Sequence, residues 1–198
     1  MDSGCGDGYL LSRLAGARDW DACGIDLSTT AIRIAAGRLP WATWLVVNAD
    51  RSLPFENASL DLVLSIFGRR NGPEFRRALH PTGHLIAVVP AEDDLVELRA
   101  VVLGRGLRID RVASAVAAFE PLFSLVEHRT SRHIVSMDDQ ALLHLLSMTY
   151  RGIRPAERER AENLTSLDVT LSSDLLLFRP ATTPFTRTST VPPPPRRS

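Results

Sequence analysis

Two hydrophobic periods alternate along the first 104 residues. Short apolar runs are separated by stretches with helical spacing. That alternation predicts a parallel sheet covered by helices. Residues 8–16 carry the pattern of a first helix, and 22–27 read as a short buried strand. Ser28 is a favoured N-cap type before a helix over 29–38, whose Ile32, Ile34, Ala35 and Leu39 supply apolar contacts. Residues 43–49 predict a third strand, closed by Asp50, and 60–67 a fourth. A short helix over 72–79 begins near Pro73, Pro81-Thr82-Gly83 is a turn, and 85–89 form a fifth strand. A helix over about 92–104 follows, with Leu95, Leu98 and Val102 at helical spacing.

The second half is less patterned. Residues 122–127 and 133–136 predict strand, and Asp138 caps a helix running to Ser147. Residues 167–178 alternate and then turn apolar, as a late antiparallel strand does. From Thr182 the chain is rich in Thr, Pro and Arg, a composition that cannot bury enough apolar surface to order itself. The expected organisation is one domain over 1–180 and a disordered tail over 181–198.

The densest chemical signal is Asp2-Ser3-Gly4-Cys5-Gly6-Asp7-Gly8-Tyr9, a glycine-rich turn between a strand end and a helix. Glycines let such a turn adopt positive φ and pass close to a bulky ligand. The N–H groups of the following helix then face that ligand. The spacing is G-x-G-x-G, and Tyr9 stands where a dinucleotide fingerprint has its third glycine. Asp2 and Asp7 would repel a pyrophosphate and suit the ammonium of a methionyl group. Asp26 ends the next apolar run, at the offset where a carboxylate accepts a ribose hydroxyl pair.

Composition narrows the partners. The 198 residues suffice for one α/β domain with a sizeable core. Formal net charge is zero, so no global field drives the chain to nucleic acid or membrane. The cations are all arginine. Most of them read as solvated surface in an arginine-biased sequence. Arg69 and Arg70, just past the fourth strand, are the exception and point to a substrate rim. Cys5 and Cys23 form no C-x2-C pair, so no metal site is expected and both read as small thiols of a reducing compartment. No apolar run approaches a membrane span and no leader pattern is present, so a cytoplasmic protein without membrane contact is expected.

Several segments together carry a family resemblance. They are Asp2–Tyr9, the 24–28 stretch Gly-Ile-Asp-Leu-Ser, Ala49–Phe55 with Ala58–Asp61, Ser65-Ile66-Phe67, and Glu74-Phe75-x-Arg77-x-Leu79-x-Pro81-x-Gly83. In these the chain resembles the class I S-adenosylmethionine (SAM) methyltransferases. Leu95-Val96-Glu97-Leu98, Ser136-Met137 and Leu146–Tyr150 make it similar, more narrowly, to the 23S rRNA (guanine-N1)-methyltransferase family.

The resemblance implies a Rossmann-like three-layer α/β fold with a mostly parallel sheet and a late antiparallel strand. It implies SAM as cofactor and ribosomal RNA as partner. It places the cofactor on Asp2, Gly4, Gly6, Asp7, Gly8, Tyr9, Asp26, Leu27, Asp50 and Ser65, with Asp50 at the position that contacts the adenine amine. Phe67, Arg69 and Arg70 fall on the substrate side. No catalytic base is assigned.

Two departures stand out. The family's cysteine-rich zinc module and most of its first strand are not in this sequence, so an amino-truncated chain with exposed neighbouring strand edges is expected. Asp94 stands where the family tends to place a histidine. A small-molecule methyltransferase and an inactive truncated copy therefore remain alternatives. Exocyclic-amine methylation is disfavoured, because Ser65-Ile66-Phe67-Gly68 replaces the usual Asp/Asn-Pro-Pro-aromatic. Cytosine-C5 methylation is disfavoured because neither cysteine lies there to act as nucleophile. Trp41 and Trp44 read as packing residues rather than base-stacking ones.

Overall fold

A computed structural model describes residues 1–15, 20–106, 108–149 and 164–182. Seven strands form one sheet: β1 (Asp2–Ser3), β2 (Cys23–Asp26), β3 (Thr43–Val46), β4 (Leu60–Ile66), β5 (Leu79–Pro90), β6 (Phe123–Asp138) and β7 (Ser166–Pro180). Their order is β3-β2-β1-β4-β5-β7-β6. β1 to β5 pair in parallel, and β7 runs antiparallel to both β5 and β6. Among the described residues six helices connect them: α1 (Tyr9–Ala15), α2 (Thr29–Arg38), α3 (Gly72–Ala78), α4 (Val96–Leu103), α5 (Val112–Phe119) and α6 (Asp139–Thr149). The expected Rossmann-like architecture is therefore present.

β1 is two residues long yet central. Asp2 pairs with Gly24 on one side and Leu64 on the other. It keeps β2 and β4 bridged at the sheet end where the glycine loop leaves. Ser28 caps α2 as expected, its hydroxyl accepting the Ala31 N–H at 3.2 Å. Asp138 does the same for α6, accepting the Ala141 N–H at 2.8 Å.

Other expectations are corrected. β3 ends at Val46 rather than Ala49. β6 is one strand of 16 residues, not two fragments, because β7 pairs with it from Phe123↔Pro180 to Asp138↔Ser166. The Pro81-Thr82-Gly83 turn is an excursion inside β5, where pairing with β4 jumps from Leu60↔Leu79 to Leu62↔His84. α5 was not anticipated. It brings Phe119 into the main core, with ring centroids 5.1 Å from Phe178, 5.9 Å from Phe123 and 6.3 Å from Phe75.

The helix expected over 92–104 begins only at Val96, for a reason on β7. Pairing with β5 stops at Pro90↔Ser173, while β7 runs on to Ser166 against β6. Beyond that point β7 needs partners for its N–H groups. Glu97 accepts the Thr170 N–H at 2.9 Å, and Asp94 accepts the Ser172 N–H at 3.0 Å. Asp93 takes the Ser172 hydroxyl at 2.6 Å and Arg132 Nε at 2.9 Å. A second apolar cluster packs beneath this seam: Leu95, Leu98 and Val102, with Leu142 and Leu146 of α6 and Val169 of β7.

Of the two tryptophans expected to pack, Trp44 does so against the sheet, whereas Trp41 is exposed. A Cβ on Gly24 would lie 2.3 Å from the Trp44 ring, and one on Gly8 2.6 Å from it. Glycine at both positions makes the slot that the indole fills. The expected tail beyond Thr182 lies outside the described residues, and among those residues no helix is long and apolar enough to cross a membrane.

Candidate functional site

The strand order reverses between β1 and β4, so the connections leaving their carboxyl ends diverge and open a crevice. The glycine loop forms one wall. Gly4 and Cys5 N–H both donate to the Ile25 carbonyl, at 2.9 and 3.0 Å. Gly4, Gly6 and Gly8 all have positive φ (+80°, +55° and +73°). Asp26 then joins the loop to α2: Oδ2 accepts the Gly6 N–H at 3.0 Å and Oδ1 the Ser28 N–H at 2.8 Å. Each carboxylate oxygen has two lone pairs, so this double anchoring leaves acceptor capacity toward the crevice.

The opposite wall is the end of β4. Phe67 sits there at φ +51° and 61% exposed, a strained conformation for an aromatic residue. Gly68 passes so close to β1 that a Cβ would lie 2.8 Å from the Ser3 carbonyl oxygen. The buried Ser65 hydroxyl donates to the Arg69 carbonyl at 2.9 Å and pins this turn. Arg69 Nε lies 3.4 Å from Asp50 Oδ2, linking the ends of β4 and β3 across the crevice.

A cleft of about 630 Å³ results, lined by Gly4, Asp26, Leu27, Asp50, Phe67 and Arg69 among others. Six expected site residues thus meet in one cavity. Ser65 and Arg70 line an adjoining pocket of about 190 Å³, which Phe67 separates from the first and Arg111 also borders. Asp7 and Tyr9 are turned elsewhere. Asp7 accepts Arg38 Nη2 at 2.6 Å, and the Arg38 guanidinium lies 5.5 Å from the Tyr9 ring centroid, so both engage α2. Gly8 serves the Trp44 contact. Asp2 is buried under the loop rather than in the cleft lining. Burial, with the Asp26 charge adding to it, pushes its carboxyl up to about 6.

Residues 1–86 match the family described as "Methyltransferase domain". A candidate methyltransferase (BH2331) of Bacillus halodurans C-125 superposes with a TM-score of 0.61 at 12% identity, covering 91% of each chain. The chain has the class I SAM-dependent methyltransferase fold. It also resembles the 23S rRNA (guanine-N1)-methyltransferases. It is 35% identical over 186 residues to YxjB of Bacillus subtilis (strain 168), a candidate member, covering 89% of this chain and 65% of that one. It is 30% identical over 185 residues to the 23S rRNA (guanine(748)-N(1))-methyltransferase of Streptomyces fradiae, covering 91% and 66%. The chain therefore spans just under two thirds of the length of these curated relatives.

A methyltransferase domain points to SAM as methyl donor, and the cleft fits that group. It offers acceptors for a ribose diol at Asp26 and for an amine at Asp50. Buried Asp2 and its half-buried neighbour Asp26 form an acidic locus that an ammonium would relieve. The cleft volume lies in the range of small-molecule sites.

Two further side chains are constrained by their surroundings. Burial drives the Cys5 thiol up to about 12, so it is no nucleophile at neutral pH. Asp94 accepts the Ser172 N–H, and burial raises its carboxyl. Sequence reasoning missed Gly68 and Asn71. A lone glycine after a strand end carries little signal, and an asparagine before a helix reads as a cap.

Proposed function

We propose that this chain binds SAM in the crevice between the glycine loop and the end of β4 and methylates N1 of a guanine in 23S rRNA. Residues 1–180 act as the methyltransferase unit. The observation that carries the target is the 30–35% identity to rRNA guanine-N1 methyltransferases over about nine tenths of this chain. In this reading Asp26 accepts the ribose hydroxyls, Asp50 the adenine amine, and Leu27 packs on the base. The glycine loop approaches the methionyl part, and Asp2 supplies negative charge beneath it.

SAM supplies an electrophilic methyl group on a sulfonium. The residues around it hold donor and acceptor in line and exclude water. Phe67 stands between the two pockets, where it can stack on a purine, and Arg69 and Arg70 attract the phosphates beside it. With donor and acceptor both bound, guanine N1 would release its proton to solvent water, and the electron pair left on nitrogen would take the methyl carbon as the carbon–sulfur pair passes to sulfur, giving neutral S-adenosylhomocysteine.

The test is transfer of labelled methyl from SAM into 23S rRNA, followed by primer extension. N1-methylguanine cannot pair normally and stops reverse transcriptase. A single labelled stop at a guanine is expected, and Phe67→Ala should reduce the rate at least tenfold. Labelling of small molecules with none in RNA would contradict the proposed target.

A further inference from the structure

Asn71 occupies the N-cap position of α3, yet its side chain makes no capping bond. Asparagine is preferred at N-caps because its side-chain oxygen accepts an N–H of the first turn. Here Asn71 forgoes that role. Its Nδ2 donates to the Ala49 carbonyl at 2.9 Å and to the Arg51 carbonyl at 3.0 Å. The first carbonyl belongs to the peptide that enters Asp50, and the second to the 51–52 peptide just beyond it. The amide orientation is fixed by chemistry, since the flipped form would face an oxygen to two oxygens.

The rest of Asp50 is held as well. Its N–H donates to Asn48 Oδ1 at 3.0 Å, and its carboxylate lies against Arg69. The segment has left β3 at Val46, and its turn is closed by the Arg51 N–H donating to the Asn48 carbonyl at 3.0 Å. One side-chain amide therefore holds both ends of the short bend that carries the carboxylate, at the 49–50 and 51–52 peptides.

We infer that Asn71 is a positioning residue for adenine recognition: by clamping the carbonyls of Ala49 and Arg51 it aims the Asp50 carboxylate at the exocyclic amine of the cofactor. This rests on the cofactor reading above. Asn71 touches no cofactor atom itself. Without the clamp the carboxylate still reaches the cleft but samples many directions, so selectivity for an amine over a carbonyl at the purine 6-position is what falls.

Calorimetric titration of the full chain with S-adenosylhomocysteine and with S-inosylhomocysteine tests this. The second ligand carries a carbonyl where adenine has its amine. The unmodified protein should prefer the adenosyl ligand by about tenfold or more, the scale of one hydrogen bond to a charged group. Asn71→Ala should bring that ratio to within about threefold of unity, mostly by weakening the adenosyl ligand. Asn71→Asp, which sets a carboxylate against two carbonyls, should do the same or worse. Asn71→Ser, with one donor, should give an intermediate ratio and serves if the alanine variant does not fold.

A ratio unchanged in a folded Asn71→Ala or Asn71→Ser variant overturns the inference. So does an unmodified protein that binds both ligands equally. If the unmodified protein binds neither ligand, the cofactor reading itself fails, which separates the two claims.

Discussion

Asp2 is 2% exposed, and burial pushes its carboxyl up to about 6 from a usual 3.8. Between those two pH values the folded chain holds a proton that the unfolded chain has released. Stability from this group is therefore greatest below 3.8 and declines as pH rises through about 6. Binding a cationic ligand has the opposite sign, because it needs the ionised form. At pH 5 only about one tenth of the carboxyl is ionised if its pKa is about 6. S-adenosylhomocysteine, which carries the same ammonium as SAM, should bind about tenfold more weakly at pH 5 than at pH 7.5. Asp2→Asn should flatten that dependence and raise the melting temperature at pH 7.5. Titration calorimetry at several pH values and thermal melts check both. A pH-independent affinity in the unmodified protein removes Asp2 from the cofactor account.

Helix α3 shows how one element can hold another that lacks regular structure. The Arg77 guanidinium donates to the carbonyls of Phe55 and Leu53 at 2.7 and 2.9 Å, to Asn57 Oδ1 at 3.0 Å and to Glu74 at 2.8–3.1 Å. Glu74 in turn accepts the Leu53 N–H at 2.8 Å. With Asn71, these residues tie the whole β3–β4 connection to one helix face. Arg77→Ala strips the partner from a buried carboxylate, and a loss of about 3 kcal/mol in denaturant unfolding at pH 7 is expected. Arg77→Lys should recover little, because a point charge cannot serve this fork of acceptors. The Arg77 hydrogen bond, foremost among its partners, holds the Glu74 carboxyl below its usual 4.5. That contribution is present above pH 4.5 and is lost as pH falls through the lowered value, so the variant's deficit should shrink in acid.

The same elements show what a sequence reveals. The Gly24-Ile25-Asp26 strand end and the Ser28 cap are local signals and were legible. So were Gly4, Asp26, Leu27, Asp50, Phe67 and Arg69 as neighbours, because their motifs sit at strand ends that the sheet gathers together. Helix α5 was not legible: Val-Ala-Ser-Ala-Val-Ala-Ala-Phe is apolar all round and shows no period. The unity of β6 was hidden by its exposure, since a two-stranded ribbon buries too little for strict alternation. Asp93, Asp94 and Glu97 read as a helix start, and only the length of β7 explains why they finish a sheet edge instead.

At the scale of the whole molecule, a neutral chain places its local chemistry at one end of the sheet. Order reversal between β1 and β4 opens the crevice, the glycine loop and Gly68 bring two backbones together across it, and Asn71 at the head of α3 steadies the Asp50 segment. The central claim is that this crevice is a SAM site. Titration calorimetry of the full chain with S-adenosylhomocysteine, beside an Asp26→Ala variant shown to be folded by its melt, tests it most directly. The account predicts saturable one-to-one binding, weakened at least about tenfold in the variant by loss of a charged acceptor. Absence of saturable binding, or equal affinity in the two proteins, would contradict it.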